Sequence, residues 1–149
     1  MQKIYFGMGC FWKPEEQFKN INGILETEVG YAGGYKSKVT YEEVCQGNTG
    51  HAEVVKLTFD ENVISLEKIL ELFFKFHDPT QKDMQFPDVG TQYRSEIFYE
   101  NDQQKELAFK IKEKFNKIHN NKIETNISPI KNYVTAEPYH QKYIEKNRR

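Results

Sequence analysis

The sequence predicts an α+β domain: one mixed sheet with helices packed on it and extra loops between. Three observations lead there. Segments of period-2 alternation and segments of helical spacing follow one another along the chain, with no repeat, low-complexity tract or linker between them. A chain of 149 residues is of single-domain size, so residues 1–149 are read as one catalytic domain that can bury a core without disulfide staples. Eleven Phe and nine Tyr supply apolar surface that a disordered chain lacks.

Each element has its own warrant. KIYFG reads as a short strand closed by Gly7 to Gly9. A helix then starts near Cys10, with Pro14 in its first turn and Glu15 and Glu16 where acids favour the helix dipole. Asn22-Gly23 ends it, and ILETEVGYAGG alternates as a strand before a glycine pair. TYEEVCQGNTGH is one short helical turn and a loop, and AEVVKLTFD, rich in β-branched residues at period 2, is the clearest strand. Leu66, Ile69, Leu70, Phe73 and Phe76 recur at helical spacing, with Ser65 as cap or first-turn residue and Asp78-Pro79 as the stop. TQKDMQFPDVGTQ is polar and without period, hence a loop, and YRSEIFYE follows as a strand. Leu107, Ile111, Phe115 and Ile118 mark one face of an amphipathic helix over NDQQKELAFKIKEKFNKIHN. IETNISPI is a strand interrupted at Pro129, and AEPYHQKYIEKN a last helix. This order suggests a two-layer α/β plait with a ferredoxin-like core. Hydrophobic pattern supports the elements but hardly bears on strand order.

Composition narrows the function classes. Lys and Arg number 21 against 22 Asp and Glu, which offers no electrostatic case for nucleic acid. No apolar run approaches the roughly 20 residues of a membrane span. Met1 runs almost at once into KIYF, leaving no room for a signal peptide, and the two cysteines fit reduced thiols rather than a disulfide framework. The expectation is a cytoplasmic monomer whose basic KNRR end is a solvated, frayed terminus.

The chemistry centres on GMGCFWKPEE. A thiol at a helix N-terminus feels the positive end of the dipole, which favours the nucleophilic thiolate. A buried cysteine acting as a small hydrophobe would explain Cys10 equally well. Phe11 and Trp12 are consecutive and point different ways from a helix start, so one or both can wall a pocket beside the sulfur. Glu53 opens a strand, where acids are poor formers. In an aromatic-lined site its carboxyl would hold a proton near neutrality, and on a wet rim it would not. Asp88 and Tyr93 lie in the long loop before a strand, and Tyr41 is a lone phenol in TYEEV.

Other readings use the same residues. Cys45, His51 and Glu53 suggest a zinc-dependent hydrolase, since H-A-E matches half of a zinc deaminase signature, although the P-C-x-x-C half is missing. G-C-F-W faintly echoes a papain-type protease, which needs a histidine and an asparagine about 130–150 residues downstream. A histidine does stand at position 140, but little chain follows it. A peptide-binding module with an incidental thiol is the third alternative.

GCFWKPEE, GYAGG, TYEEVCQGNTGHAEVV, HDPT and DVGTQYRS occur in the order and context of the A-type peptide-methionine sulfoxide reductases, with a weaker echo in EPYHQKY. The resemblance spans about residues 4 to 100. It implies a two-layer α/β plait that reduces the S epimer of methionine sulfoxide, free or in proteins, without cofactor or metal. By the same resemblance Cys10 is the attacking cysteine, and Phe11 and Trp12 hold the substrate methyl. Glu53 protonates the sulfoxide oxygen, Tyr41 and Tyr93 hydrogen-bond it, and Asp88 is a second acid. Many members carry recycling cysteines in a glycine-rich C-terminal tail, whereas this chain ends in YIEKNRR. The expected reductant is therefore an external thiol, either glutathione with glutaredoxin or thioredoxin, with Cys45 as a possible internal resolving thiol.

Overall fold

The computed structural model describes residues 1–147. Arg148 and Arg149, the end of the basic KNRR stretch, lie outside the described residues. The regular elements in chain order are β1 (Gln2–Met8), α1 (Trp12–Phe18), β2 (Ile24–Ala32), α2 (Tyr41–Cys45), β3 (Ala52–Phe59), α3 (Leu66–Phe76), β4 (Met84–Gln85), β5 (Asp88–Val89), β6 (Ser95–Tyr99), α4 (Asp102–Ile118), β7 (Asn126–Pro129), β8 (Val134–Thr135) and α5 (Tyr143–Lys146). Short 3₁₀ turns occupy Thr91–Tyr93 and Pro138–His140. The main sheet runs β7-β6-β1-β3-β2-β8; only the β6–β7 pair is parallel. This is the mixed sheet of an α+β fold.

Period 2 sorts the side chains of the central strands. Ile4, Phe6 and Met8 of β1 and Val55, Leu57 and Phe59 of β3 join one core with Phe18 of α1, Ile69, Leu70 and Phe73 of α3, and Ile111 and Phe115 of α4. Tyr5, Ala32, Ala52, Val54 and Phe98 form a smaller cluster on the other face, to which no helix contributes a buried residue. The helices therefore cover one face, and the core lies between them and the sheet. Side-chain oxygens cap three helices: Thr40 accepts from the Glu43 amide, Ser65 from Lys68 and Asn101 from Gln104. Glu43 also reaches back to the Thr40 amide, completing a capping box.

Several local expectations shift. The first helix begins at Trp12 with Phe11 as its flanking residue, so Cys10 lies in the bend before it. Glu15 does stand in the first turn, where an acid favours the dipole, but it has a further role. It is buried, and accepts from the Thr27 hydroxyl at 2.9 Å and from the Lys142 amide and ammonium at 2.7 and 3.1 Å. Ile118 is exposed because the last turn of α4 extends past the core that Ile111 and Phe115 enter. The loop before β6 contains a two-residue hairpin, β4–β5. The last helix is broken: a 3₁₀ turn, an extended Gln141 and a left-handed Lys142 (φ 52°) precede the single turn of α5. Tertiary bonds explain the break. The Gln141 amide group accepts from the Val29 N–H and donates to the Val29 and Ala136 carbonyls, while Lys142 turns toward Glu15. The strand at IETNISPI is confined to β7, which ends at Pro129 on the sheet edge.

Register brings the reactive segments to one end of the sheet. Phe6 pairs with Val55, so one pleat further Glu53 is level with Met8, just before Cys10. Met8 pairs with Ser95, which puts Tyr93 at the same end, and Tyr31 of β2 pairs with Glu53. Gly9 makes the departure from β1 possible. Its φ is +87°, and a Cβ there would stand 2.8 Å from Gln85 Cβ. Gly9→Ala is expected to lower stability by about 1–2 kcal/mol from backbone strain alone. A urea midpoint equal to that of the parent would show that this bend relaxes freely.

Candidate functional site

Cys10, half-buried, sits in the bend between β1 and α1. Glu53, the second residue of β3, is 1% exposed, and its Oε1 accepts the Phe11 N–H at 3.2 Å. The acid and the thiol segment are thus tied directly. Burial, with the charge of Asp88 adding to it, pushes the Glu53 carboxyl up to about 8, against the opposing effect of the Phe11 amide. The Cys10 thiol is pushed up to about 12, chiefly by burial, with the Glu53 and Asp88 charges adding and the Trp12 amide opposing. The thiolate preference expected from a helix N-terminus is therefore reversed in this structure. A helix of seven residues that begins after the cysteine contributes less than desolvation removes.

Asp88 belongs to β5 and lines a cleft of about 430 Å³ together with Cys10, Lys13, Gln17, Gln85 and Phe86. The Tyr41 hydroxyl is raised by burial first and then by Cys45 and Glu53; the Tyr93 hydroxyl is raised by burial, Glu53 and Cys45. Both phenols thus stand within electrostatic reach of Glu53 and of Cys45. Arg94 anchors the turn that carries Tyr93, donating to Glu96 Oε1 at 2.6 Å, to the Thr91 carbonyl at 2.9 Å and to the Gly50 carbonyl at 3.0 Å. Phe11 is core, with its ring 5.6 Å from Tyr31, whereas Trp12 is half-buried at the margin. The two consecutive aromatics point different ways: Phe11 into the core and Trp12 toward His140 and Tyr143.

Cys45 is exposed at the end of α2. Its thiol is raised chiefly by burial of the sulfur, with the Tyr41 and Tyr93 hydroxyls acting against the rise. His51 is buried, and its Nε2 lies 3.1 Å from the Asn132 carbonyl rather than toward Glu53. Among the described residues no group of three His, Cys, Asp or Glu is placed to hold a metal ion. Cys45, His51 and Glu53 therefore do not converge as the zinc reading requires.

Sequence reasoning passed over the C-terminal segment. Trp12 Nε1 donates to His140 Nδ1 at 3.1 Å, and Tyr143 stacks on the indole at 3.8 Å between centroids. Glu137 accepts from the Tyr31 hydroxyl at 2.8 Å and from the Tyr41 amide at 2.9 Å. The signal that could have found them was the EPYHQKY echo, whose last five residues are all polar or aromatic with no apolar period to explain them.

A family model described as "Peptide methionine sulfoxide reductase" matches residues 2–149. The chain belongs to the peptide methionine sulfoxide reductase family. It is an oxidoreductase that acts on methionine sulfoxide and is regenerated by thiols. A peptide methionine sulfoxide reductase of Pelagibacter ubique is 54% identical over 146 residues, covering 98% of this chain and 99% of the relative. Reduced Mxr1 from Saccharomyces cerevisiae superposes with a TM-score of 0.94 at 43% identity, over 98% of this chain and 85% of that one. Mxr1 in complex with Trx2 matches with a TM-score of 0.69 at 30% identity, over 95% of this chain and 84% of the yeast chain. No helix among the described residues of this family member is long and apolar enough to cross a membrane.

The raised Glu53 makes stability depend on pH. Below the ordinary carboxylate range both folded and unfolded chains hold the proton, and burial costs nothing extra. As pH rises toward about 8 the unfolded chain loses its proton first, so this group's contribution is lost. Relative to Glu53→Gln, the wild type is expected to lose about 4 kcal/mol of unfolding free energy between about pH 4 and pH 8. Parallel urea curves for the two proteins across that range would contradict a buried, protonated Glu53.

Proposed function

We propose that the protein reduces the S epimer of methionine sulfoxide, free or within a polypeptide, through a cysteine sulfenic acid on Cys10. The observation that carries this reading is the Phe11 N–H to Glu53 bond, which holds a protonated carboxyl beside the segment bearing the thiol. A sulfoxide oxygen leaves poorly until it is protonated, and a carboxyl raised to about 8 still holds its proton at neutral pH. Tyr41 and Tyr93, both protonated, add donors to the oxygen. Asp88 is the second acid of the site.

The step balances without a cofactor or metal. The Cys10 sulfur attacks the sulfoxide sulfur as the oxygen takes the Glu53 proton. That attack forms an S–S bond; the oxygen then passes from the substrate sulfur to the Cys10 sulfur as the substrate S–O bond and the S–S bond both break, and the products are methionine and Cys10–SOH. Cys10 sulfur is oxidised, substrate sulfur is reduced, and the thiol proton replaces the one that Glu53 gave up. The high resting position of Cys10 suits this order, because charge develops on sulfur only when a substrate receives it. Phe11 and Trp12 offer the methyl group a dry wall. With methyl, oxygen and sulfur each assigned a direction, only one hand of the substrate meets all three.

Regeneration is assigned to an external thiol, either thioredoxin or glutathione with glutaredoxin. A thioredoxin-bound structure of the yeast relative supports the choice of partner class. The raised Cys45 thiol supports it too, since a protonated thiol attacks a sulfenic acid slowly. The same reading takes residues 1–149 as one catalytic domain, since the main sheet draws strands from Gln2 to Thr135. The order β6-β1-β3-β2 within a β-α-β-β-α-β run supports a ferredoxin-like core. Two free cysteines support a reducing compartment such as the cytoplasm.

Three measurements test these assignments. Purified R and S epimers are expected to differ in turnover, with the R form essentially unreduced; comparable rates would end the chiral-site reading. In single turnover, Cys10→Ser is expected to be inactive and Glu53→Gln slower by ~10²–10⁴-fold. An unimpaired Glu53→Gln would move the acid role to Asp88. Under excess substrate, Cys45→Ser is expected to keep parental turnover with thioredoxin or glutaredoxin. Lost turnover, with a Cys10–Cys45 disulfide trapped in the parent, would make Cys45 the resolving thiol instead.

A further inference from the structure

Mechanistic reasoning from the reacting atoms leaves His140 without a task, yet its surroundings are unusual. The residue is 1% exposed and packed among the rings of Phe11 (5.2 Å), Trp12 (5.7 Å), Tyr41 (4.5 Å) and Tyr139 (4.2 Å). Trp12 Nε1–H donates to His140 Nδ1 at 3.1 Å, so Nδ1 carries no proton and the neutral ring holds its proton on Nε2. That Nε2 is buried and has no hydrogen-bond partner among the described residues. An unpaired buried N–H is costly, and a phenyl ring would fill the same space without it. The Nδ1 acceptor is the one thing histidine offers here that phenylalanine does not. It meets the only polar atom of the indole, on which Tyr143 also stacks.

The segment bearing His140 is itself held firmly. Glu137 takes the Tyr31 hydroxyl and the Tyr41 amide, Gln141 bridges to the Val29 backbone, and Lys142 is tied to Glu15. Tyr143, two residues after Gln141, lies flat on the Trp12 indole at an interplanar angle of 10°. One segment thus supplies both the stacking partner and the hydrogen-bond acceptor of Trp12.

We propose that His140, as its Nε2–H tautomer, is a positioning residue: it holds the Trp12 indole in the orientation that walls the methyl recess beside Cys10, and so sets substrate affinity. The inference rests on the reading that Trp12 borders that recess. His140 touches no reacting atom; it acts through Trp12. Removing the acceptor should free the indole to turn away from an unpaired buried contact, widening the recess for substrate without touching the thiol or the acid.

Trp12 is the only tryptophan of the chain, so its fluorescence reports on this contact alone. Full-length His140→Phe, His140→Asn and Trp12→Phe are compared with the parent. In His140→Phe the anisotropy decay of Trp12 is expected to gain a fast local component, and KM for the S epimer to rise by about tenfold. Because chemistry is untouched, kcat should stay within about threefold of the parent. His140→Asn places Oδ1 where Nδ1 stood, and is expected to recover most of both effects, which loss of packing alone would not allow. Should His140→Phe not fold at the assay temperature, His140→Leu takes its place against His140→Asn with the same expectation. An indole that stays rigid in the folded Phe or Leu variant overturns the proposal, as does an Asn variant no better than them. A freed indole with unchanged KM overturns it as well, provided Trp12→Phe does raise KM. If Trp12→Phe leaves KM unchanged, the recess reading fails, and the role in affinity falls with it.

Discussion

The site depends on keeping one carboxyl dry. Glu53 is among the most buried acids of the molecule, and its hydrogen bond comes from the Phe11 backbone amide rather than from a cation. A cation would have held it ionised and useless as an acid near neutrality. Instead burial and the nearby Asp88 hold the proton in place. The strands make this possible. The antiparallel register of β1, β3 and β6 brings the end of the first and the starts of the other two to one edge, and Glu53 falls on the helix face there in phase with Val55 and Leu57.

The same desolvation acts on Cys10, the proposed nucleophile, and in the opposite sense to what a thiol enzyme is expected to want. Cys10 rests protonated because its sulfur is half-buried between two acids. In the proposed reaction coupling resolves the conflict: the sulfoxide needs a proton and the thiol must lose one, so a pair of groups that stores both protons is neutral before the reaction and neutral after it. No charge has to be buried unless a substrate is present to use it. Cys45 is linked electrostatically to Tyr41 and Tyr93 but is exposed.

Around this centre the C-terminal segment works as a brace. Its polar side chains, Glu137, Gln141 and Lys142, are spent on backbone groups and on a buried acid, and its rings are spent on Trp12. Glu15 is where the brace meets the first helix. The residue lies one turn after Cys10, so the helix that follows the thiol is pinned by the segment that also fixes the indole. The first helix, the Trp12 indole and the sheet are thereby set against one another from two directions.

The sequence by itself determined most of the elements and pointed to the candidate site residues among them. Alternation marked AEVVKLTF, helical spacing marked LEKILELFFKF, and the oddity of a thiol before two aromatics marked the site, because each is a local pattern that the backbone period enforces. Only tertiary structure decided the rest. Strand order, the neutral state of Cys10, the exposure of Ile118 and the break at Lys142 depend on what is packed alongside, and no local period carries that. His140 is the clearest case. A histidine 128 residues beyond the tryptophan becomes its hydrogen-bond partner only because Gln141 and Lys142 find their bonds on Val29 and Glu15, and burial then fixes which nitrogen keeps the proton.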